Sequence, residues 1–273
     1  MIEAAVTISL VPEAKNGPFV FRDDLASACE KVARLGFNAV EVFPRSVDEI
    51  NATELKRLLA RHRLKLAAVG TGAGWLVRKL SLTNPKARVR HDAEQFISAI
   101  IDFAAGFGAP AIIGSMQGRI EKDVSRVQAL NWLREALNRL GRRAGSAGVP
   151  LLIEPLNRYE TNVINCVADG VNILKALKAK NVKLLCDLFH MNIEEPSISQ
   201  SLLKAGKRLG HVHWADSNRH AMGFGHIETA PVVKTLRSLG YSGFVSAEVL
   251  PLPSPEDAAR QTLKSFRRCF NTT

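Results

Sequence analysis

Glu41, Glu154, Asp187, His213 and Glu248 interrupt otherwise apolar runs, and the last four follow one another at intervals of 33, 26 and 35 residues. Carboxylates are seldom buried alone, because desolvation and mutual repulsion disfavour their charged forms. Three carboxylates and one imidazole converging on a site make chemical sense if a divalent cation holds them. Hard oxygen donors with one nitrogen suit Mn²⁺, Mg²⁺ or Co²⁺ better than a thiolate-rich zinc site, with Zn²⁺ kept as an alternative. The competing reading is a set of separate ion pairs at separate strand ends. The surrounding segments, residues 153–162, 186–192 and 211–219, are polar within apolar strands, as substrate-gripping loops are. His211 and His213 share one face by the two-residue strand period. His211 is assigned as a hydrogen-bonded core histidine and His213 as the ligand.

An interval of about one strand plus one helix asks for a scaffold that repeats that unit. Strand signals fall at Ala4–Ser9, Ala39–Phe43, Leu66–Thr71, Ala111–Met116, Leu151–Leu156, Lys183–Leu188, His211–Ala215 and Phe244–Leu250. Helix signals fall at Asp24–Leu35, Thr53–Arg63, Pro85–Phe107, Val124–Ala147, Asp169–Ala179, Ser199–Leu209, Ala230–Leu239 and Pro255–Cys269. Eight alternating pairs over about 250 residues predict a parallel sheet closed into a (β/α)₈ barrel, one domain over residues 1–273, with its chemistry at the C-terminal strand ends. Asn84-Pro85 and Ser254-Pro255-Glu256 read as helix starts. Gly36, Gly108, Gly210 and Gly240 read as left-handed helix ends. An open doubly wound sheet would want a glycine-rich turn after its first strand, and Ser9-Leu10-Val11-Pro12 is not one.

Composition bounds the rest. With 46% hydrophobic and 23% charged residues the chain matches globular proteins and can bury a sizeable core. No apolar run reaches the roughly 18 to 20 residues of a bilayer span, and the start lacks a basic, then apolar, leader pattern. A cytoplasmic protein with no membrane partner is expected. Cys29, Cys166, Cys186 and Cys269 are widely spaced with no C-x-x-C, so they read as small buried apolar residues rather than zinc ligands or disulfides. The net charge of +11 is spread over helix faces such as Lys56-Arg57 and Lys86-Arg88-Arg90. It steers anions without choosing between nucleic acid and an acidic small molecule.

The runs EPLNRYETN (154–162), DLFHMNIEE (187–195), HVHWADSNR (211–219) with GFGH (223–226), and SAEVLPLP (246–253) resemble the D-tagatose 3-epimerase group of the xylose-isomerase-like TIM barrels. The likeness is nearest to 5-keto-L-gluconate epimerases and extends upstream to GTGAGWL, LSLTNP and IIGSMQGR. The resemblance implies Glu154, Asp187, His213 and Glu248 as ligands of a divalent metal, Mn²⁺ first. It implies Glu160, His190 and Arg219 as substrate-binding residues near the carbonyl end. The implied chemistry is epimerisation of a ketose or keto-sugar acid beside its carbonyl. Lewis-acid stabilisation of a cis-enediolate is combined there with two catalytic glutamates, Glu154 and Glu248, on opposite faces. Arg219 and His190 would neutralise the enediolate oxygen, and Glu160 would fix orientation.

Arg78, Lys79, Arg119 and Arg158 follow the third, fourth and fifth strands. If they point inward, an anionic ketose is complemented. The last loop, Pro251-Leu252-Pro253-Ser254-Pro255, has neither glycine nor base, which counts against a phosphate there. Three rivals compete with the epimerase reading. An aldose–ketose isomerase of the hydroxypyruvate or xylose type shares the enediolate. An apurinic endonuclease of the same barrel needs further histidines after the second to fourth strands, where Val69-Gly70-Thr71-Gly72 and Ile113-Gly114-Ser115-Met116 have none, and a nucleic-acid partner is not expected. A non-catalytic barrel would have little reason to keep four ligands and two bases. The family likeness also implies a homodimer or homotetramer, while the stretch from Leu263 to Phe270 reads as the last helix closing on the first strand.

Overall fold

Eight short strands among the described residues close into a parallel barrel in the order β1-β2-β3-β4-β5-β6-β7-β8, sealed by β1 against β8. They are β1 Glu3–Ser9, β2 Ala39–Phe43, β3 Lys65–Gly70, β4 Ala111–Ile113, β5 Leu151–Ile153, β6 Val182–Asp187, β7 Leu209–His213 and β8 Phe244–Ala247. The computed structural model describes residues 1–22 and 24–270; Asp23 and residues 271–273 of the expected domain lie outside them. No described helix is long and apolar enough to cross a membrane.

The helices are α1 Leu25–Leu35, α2 Ala52–His62, α3 Ala73–Arg78, α4 Ala87–Ala105, α5 Arg126–Ser146, α6 Val167–Lys175, α7 Leu188–Glu194, α8 Ile198–Ala205, α9 Thr229–Ser238 and α10 Pro255–Phe270. Their apolar faces pack on the outside of the sheet, where Val6, Val40, Ile113, Leu184 and Val212 join the main core. Residues of the alternate parity point inward. Leu152 and Leu185 join Ala68 and Ile112 in one separate buried cluster, and Ala5, Ala39 and Ala67 form another. Two residues further along the same strands, that parity carries Glu154 and Asp187. The lower barrel is therefore an apolar plug and the upper barrel a polar chamber.

Strand edges fall close to the expected places, with β4, β5, β7 and β8 ending two or three residues earlier and β7 also starting two earlier. Two helices were not expected: α3 after β3, and α7, which leaves β6 with Asp187 as its cap. The expected helix Ser199–Leu209 ends at Ala205, so the glycine beyond it with positive φ is Gly206 (φ 55°) and not Gly210. Gly210 lies within β7, where a Cβ would sit 2.7 Å from Leu152 Cδ2 and 2.8 Å from Lys183 Cβ. It is glycine for want of room. Asn84 lies ahead of α4 and accepts from the N–H of Lys86, while Ser254 starts α10 as expected, accepting from the N–H of Asp257. Helix α10 packs on β1 and α9, the closing role assigned to it.

Candidate active site

The four expected ligands stand on four consecutive strands at one rim. Glu154 follows β5 directly, its N–H still donating to Ile113 of β4 at 3.0 Å. Its carboxylate leans over Gly114, where an added Cβ would come within 2.7 Å of Oε2. Asp187 ends β6 and caps α7, accepting the N–H of Phe189 on Oδ1 at 2.8 Å. That leaves Oδ2 for the chamber. His213 ends β7, and Glu248 follows β8.

The donor atoms meet. His213 Nδ1 lies 3.5 Å from Asp187 Oδ2, 3.7 Å from Glu154 Oε1 and 3.8 Å from Glu248 Oε2. Glu154 Oε1, Asp187 Oδ2 and His213 Nδ1 are all buried without a hydrogen-bond partner. Buried polar atoms are nearly always satisfied, so three orphans facing one point form a place that could hold a cation. The donor set of three carboxylate oxygens and one imidazole nitrogen fits a hard divalent ion. Burial drives the Glu154 carboxyl well above the ordinary range, with Glu248 and Asp187 adding to the shift, and burial raises Glu248 as well. Burial works against Asp187 too, but the neighbouring His190, His213 and Arg219 outweigh it and hold that carboxyl at about 2.

Beneath the quartet sits Glu41, on which the sequence reading placed no role. Its carboxylate lies 3.2 Å from His213 Nε2 through either oxygen, 2.9 Å from His211 Nε2, and accepts from Thr7 Oγ1 at 3.0 Å. Burial opposes its charge, yet the two imidazoles dominate and hold it below the usual carboxylate range. Glu41 thus anchors the Nε2 side of His213 and aims Nδ1 at the cluster, the arrangement that orients metal-ligating histidines. His211 belongs to this support, as expected. The only sequence signal for Glu41 was a lone carboxylate inside an apolar strand, AVEVF.

Above the quartet, Arg219 donates to Glu248 Oε2 at 2.6 Å and to Glu160 Oε1 at 3.1 Å, and stacks over the Phe189 ring at 4.8 Å. Its backbone is left-handed (φ 60°), held by its N–H on Asp216 O and by its carbonyl accepting from Leu250 N. The Asp216 carboxylate accepts four backbone N–H groups, from Ser217, Gly223, Gly225 and Ile227, which fixes the whole loop. His190 projects from α7 with Nε2 3.8 Å from both Glu154 Oε1 and Asp187 Oδ2, and burial pushes its imidazole down to about 4.

A cavity of about 440 Å³ opens above these groups, with Phe19, Phe43, Trp75 and Leu76 on its far wall. The four basic residues expected near this mouth do not line it. Arg78 stacks on Phe96, Lys79 caps its own helix on Leu76 O, Arg119 donates to Tyr159 O and Arg158 pairs with Glu194 at 2.9 Å. Among the described residues lining the cavity Arg219 is the one Lys or Arg, already shared by two carboxylates.

The profile of the xylose isomerase-like TIM barrels matches residues 29–269, nearly the whole barrel. The chain belongs to that family. It is 32% identical over 241 residues, 86% of this chain and 79% of the other, to a D-psicose 3-epimerase of Agrobacterium fabrum. It is 27% identical to the 3-dehydro-D-guloside 4-epimerase of Escherichia coli, over 91% of this chain and 96% of that one. The solved D-psicose 3-epimerase of Clostridium cellulolyticum H10, in complex with D-tagatose, superposes with a TM-score of 0.82 at 24% identity, covering 98% of both chains. Within the xylose isomerase-like barrels the chain is thus an isomerase, a sugar epimerase.

Proposed function

We propose that this family member is a divalent-metal-dependent 3-epimerase of neutral ketoses, with Glu154, Asp187, His213 and Glu248 as the ligands and Mn²⁺ as the preferred ion. The observation that carries the reading is the convergence of unpaired Glu154, Asp187 and His213 donor atoms, with the Glu248 carboxylate beside them. An ion held by these four residues would supply Lewis acidity toward the ketose.

The remaining chemistry belongs to the side chains. Glu154 and Glu248 come from β5 and β8, with Asp187 and His213 from the two strands between them. A ketose lying over that middle pair meets one carboxylate on each side. One glutamate removes the proton beside the carbonyl and the other delivers a proton to the opposite face, which inverts the centre through a cis-enediolate. The Arg219 guanidinium and the His190 ring face the oxygens on which negative charge develops, and Glu160 orients the sugar. The apolar far wall and the lack of an uncommitted base among the described lining residues favour a neutral sugar over a keto-acid or a sugar phosphate. A cytoplasmic enzyme assembled as a dimer or tetramer completes the reading, the assembly to be checked by light scattering.

The test is NMR in D₂O of the metal-loaded protein with neutral ketoses, keto-aldonates and ketose phosphates. Deuterium entering at C3 with inversion, lost on EDTA and restored by Mn²⁺, is the expected result, with a neutral ketose fastest. Exchange at C1 with aldose formation would replace the epimerase by an aldose–ketose isomerase. Absence of exchange throughout the panel would overturn the reading.

A further inference from the structure

Asn157 lies three residues beyond Glu154, is 2% exposed, and has no part in the chemistry described so far. Its side-chain amide nitrogen is 2.8 Å from His190 Nδ1, and its backbone N–H points to the same nitrogen at 3.3 Å. The orientation of the amide is fixed independently, because Asn157 Oδ1 accepts the N–H of Tyr159 at 3.0 Å. The group facing His190 is therefore the NH₂, whose second hydrogen reaches Glu160 Oε1 at 3.1 Å. Two donors converge on His190 Nδ1 from one residue, and an amide nitrogen has no acceptor to offer in return.

We infer that Asn157 is a positioning residue that locks His190 in the neutral Nε2–H tautomer, so that His190 serves the reaction as a hydrogen-bond donor and not as a metal ligand. This rests on the function proposed above. The imidazole has one proton and Nδ1 must accept, so the proton sits on Nε2, which is buried without a partner and aimed at the space between Glu154 and Asp187. The other reading of that corner is a second cation held by Glu154, Asp187 and His190, whose ligand atoms are close enough to share one. A protonated Nε2 has no lone pair for it. What fits there is a substrate oxygen that gains negative charge as the reaction proceeds. Through its second hydrogen Asn157 also ties Glu160, and Glu160 ties Arg219. One amide thus sets the registry of all three residues assigned to the substrate.

The tautomer is visible without turnover. In the Mg²⁺-loaded, ¹⁵N-histidine-labelled protein, His190, assigned by its loss in His190→Asn, should show a pyridine-like Nδ1 and a pyrrole-like Nε2. Asn157→Asp keeps the shape and the Tyr159 contact but turns a donor into an acceptor, so it should move the proton onto Nδ1. Asn157→Ala removes the side-chain donor and leaves the backbone N–H, so the wild-type tautomer should persist. The expected order is therefore the reverse of a packing effect. Asn157→Asp should lose roughly 10²- to 10³-fold in kcat, as for an oxyanion donor, with a much smaller change in KM, and Asn157→Ala should lose less. A wild-type His190 carrying its proton on Nδ1, or Asn157→Ala falling below Asn157→Asp, would overturn the inference. Turnover failing while the tautomer stands would instead count against the proposed function alone.

Discussion

Replacing Glu41 by glutamine tests whether the site is held from below. His213 Nε2 is 3.2 Å from each oxygen of the Glu41 carboxylate, and His211 Nε2 is 2.9 Å from Oε2. Whichever way the new amide of Glu41→Gln turns, it sets an NH₂ against one imidazole N–H or the other, and the 3.2 Å contacts to both oxygens bring His213 against it. The imidazole must then lose its charge-assisted hydrogen bond or move its proton to Nδ1, the atom that faces the quartet. Loss of such a bond is worth about 1.5–3 kcal/mol. At about 1.4 kcal/mol per factor of ten that is roughly 10- to 100-fold in metal affinity. Isothermal titration of EDTA-stripped Glu41→Gln with Mn²⁺ at neutral pH should show that weakening, beside an intact far-ultraviolet spectrum. Thr7→Val deletes the hydroxyl donor to the same carboxylate and leaves both imidazoles, so it should cost about 1 kcal/mol of stability with little change in affinity. A Glu41→Gln Kd within about threefold of wild type, against the range expected for an outer partner, would refute the argument that Glu41 aims His213.

Glu248→Gln should abolish C3 exchange, at least about 10²-fold for loss of a general acid–base group, and weaken Mn²⁺ binding; unchanged turnover by NMR would sink the two-carboxylate scheme. Arg219→Ala should lower kcat by about 10²- to 10³-fold and move metal affinity less, while Arg219→Lys should not restore the rate, because a point charge cannot serve Glu248 and Glu160 as a fork does. Without metal, Glu154 is raised above the ordinary 4.5, so the folded state binds more protons than the unfolded one over that interval and this group's contribution to stability falls as pH rises. Melting temperatures in EDTA should therefore decline less steeply with pH in Glu154→Gln than in wild type, and a steeper decline in the variant would contradict the assignment.

The barrel was legible because its alternation is written in residue type, apolar strands against amphipathic helices. The helices it hid are the shortest: α3 and α7 are six and seven residues long, below two turns, and α7 follows β6 without a loop to announce it. The meeting of Glu154, Asp187, His213 and Glu248 at one rim was legible from spacing, since each ends or follows a strand. Glu41 was not, because its partner His211 lies 170 residues away and is met only across the closed barrel. The basic residues misled for a related reason. Sequence puts Arg78 and Arg158 after strands but does not say which side of the rim they take, and the ring of Phe96 and the carboxylate of Glu194 draw them outward.

The closed ring divides unevenly. Its second half, from β5 onward, carries Glu154, Asp187, His190, His213, Arg219 and Glu248, whereas its first half offers the cavity Phe19, Phe43, Trp75 and Leu76. On the proposed function, bond making falls to one half-barrel and the shape of the guest to the other, with the Glu41 carboxylate reaching across to His211 and His213. Substitutions along the first half can change which sugar fits while the proton-transfer apparatus stays as it is. A library confined to residues before Ile113, sparing Thr7 and Glu41, is where altered sugar preference should be sought at undiminished rate.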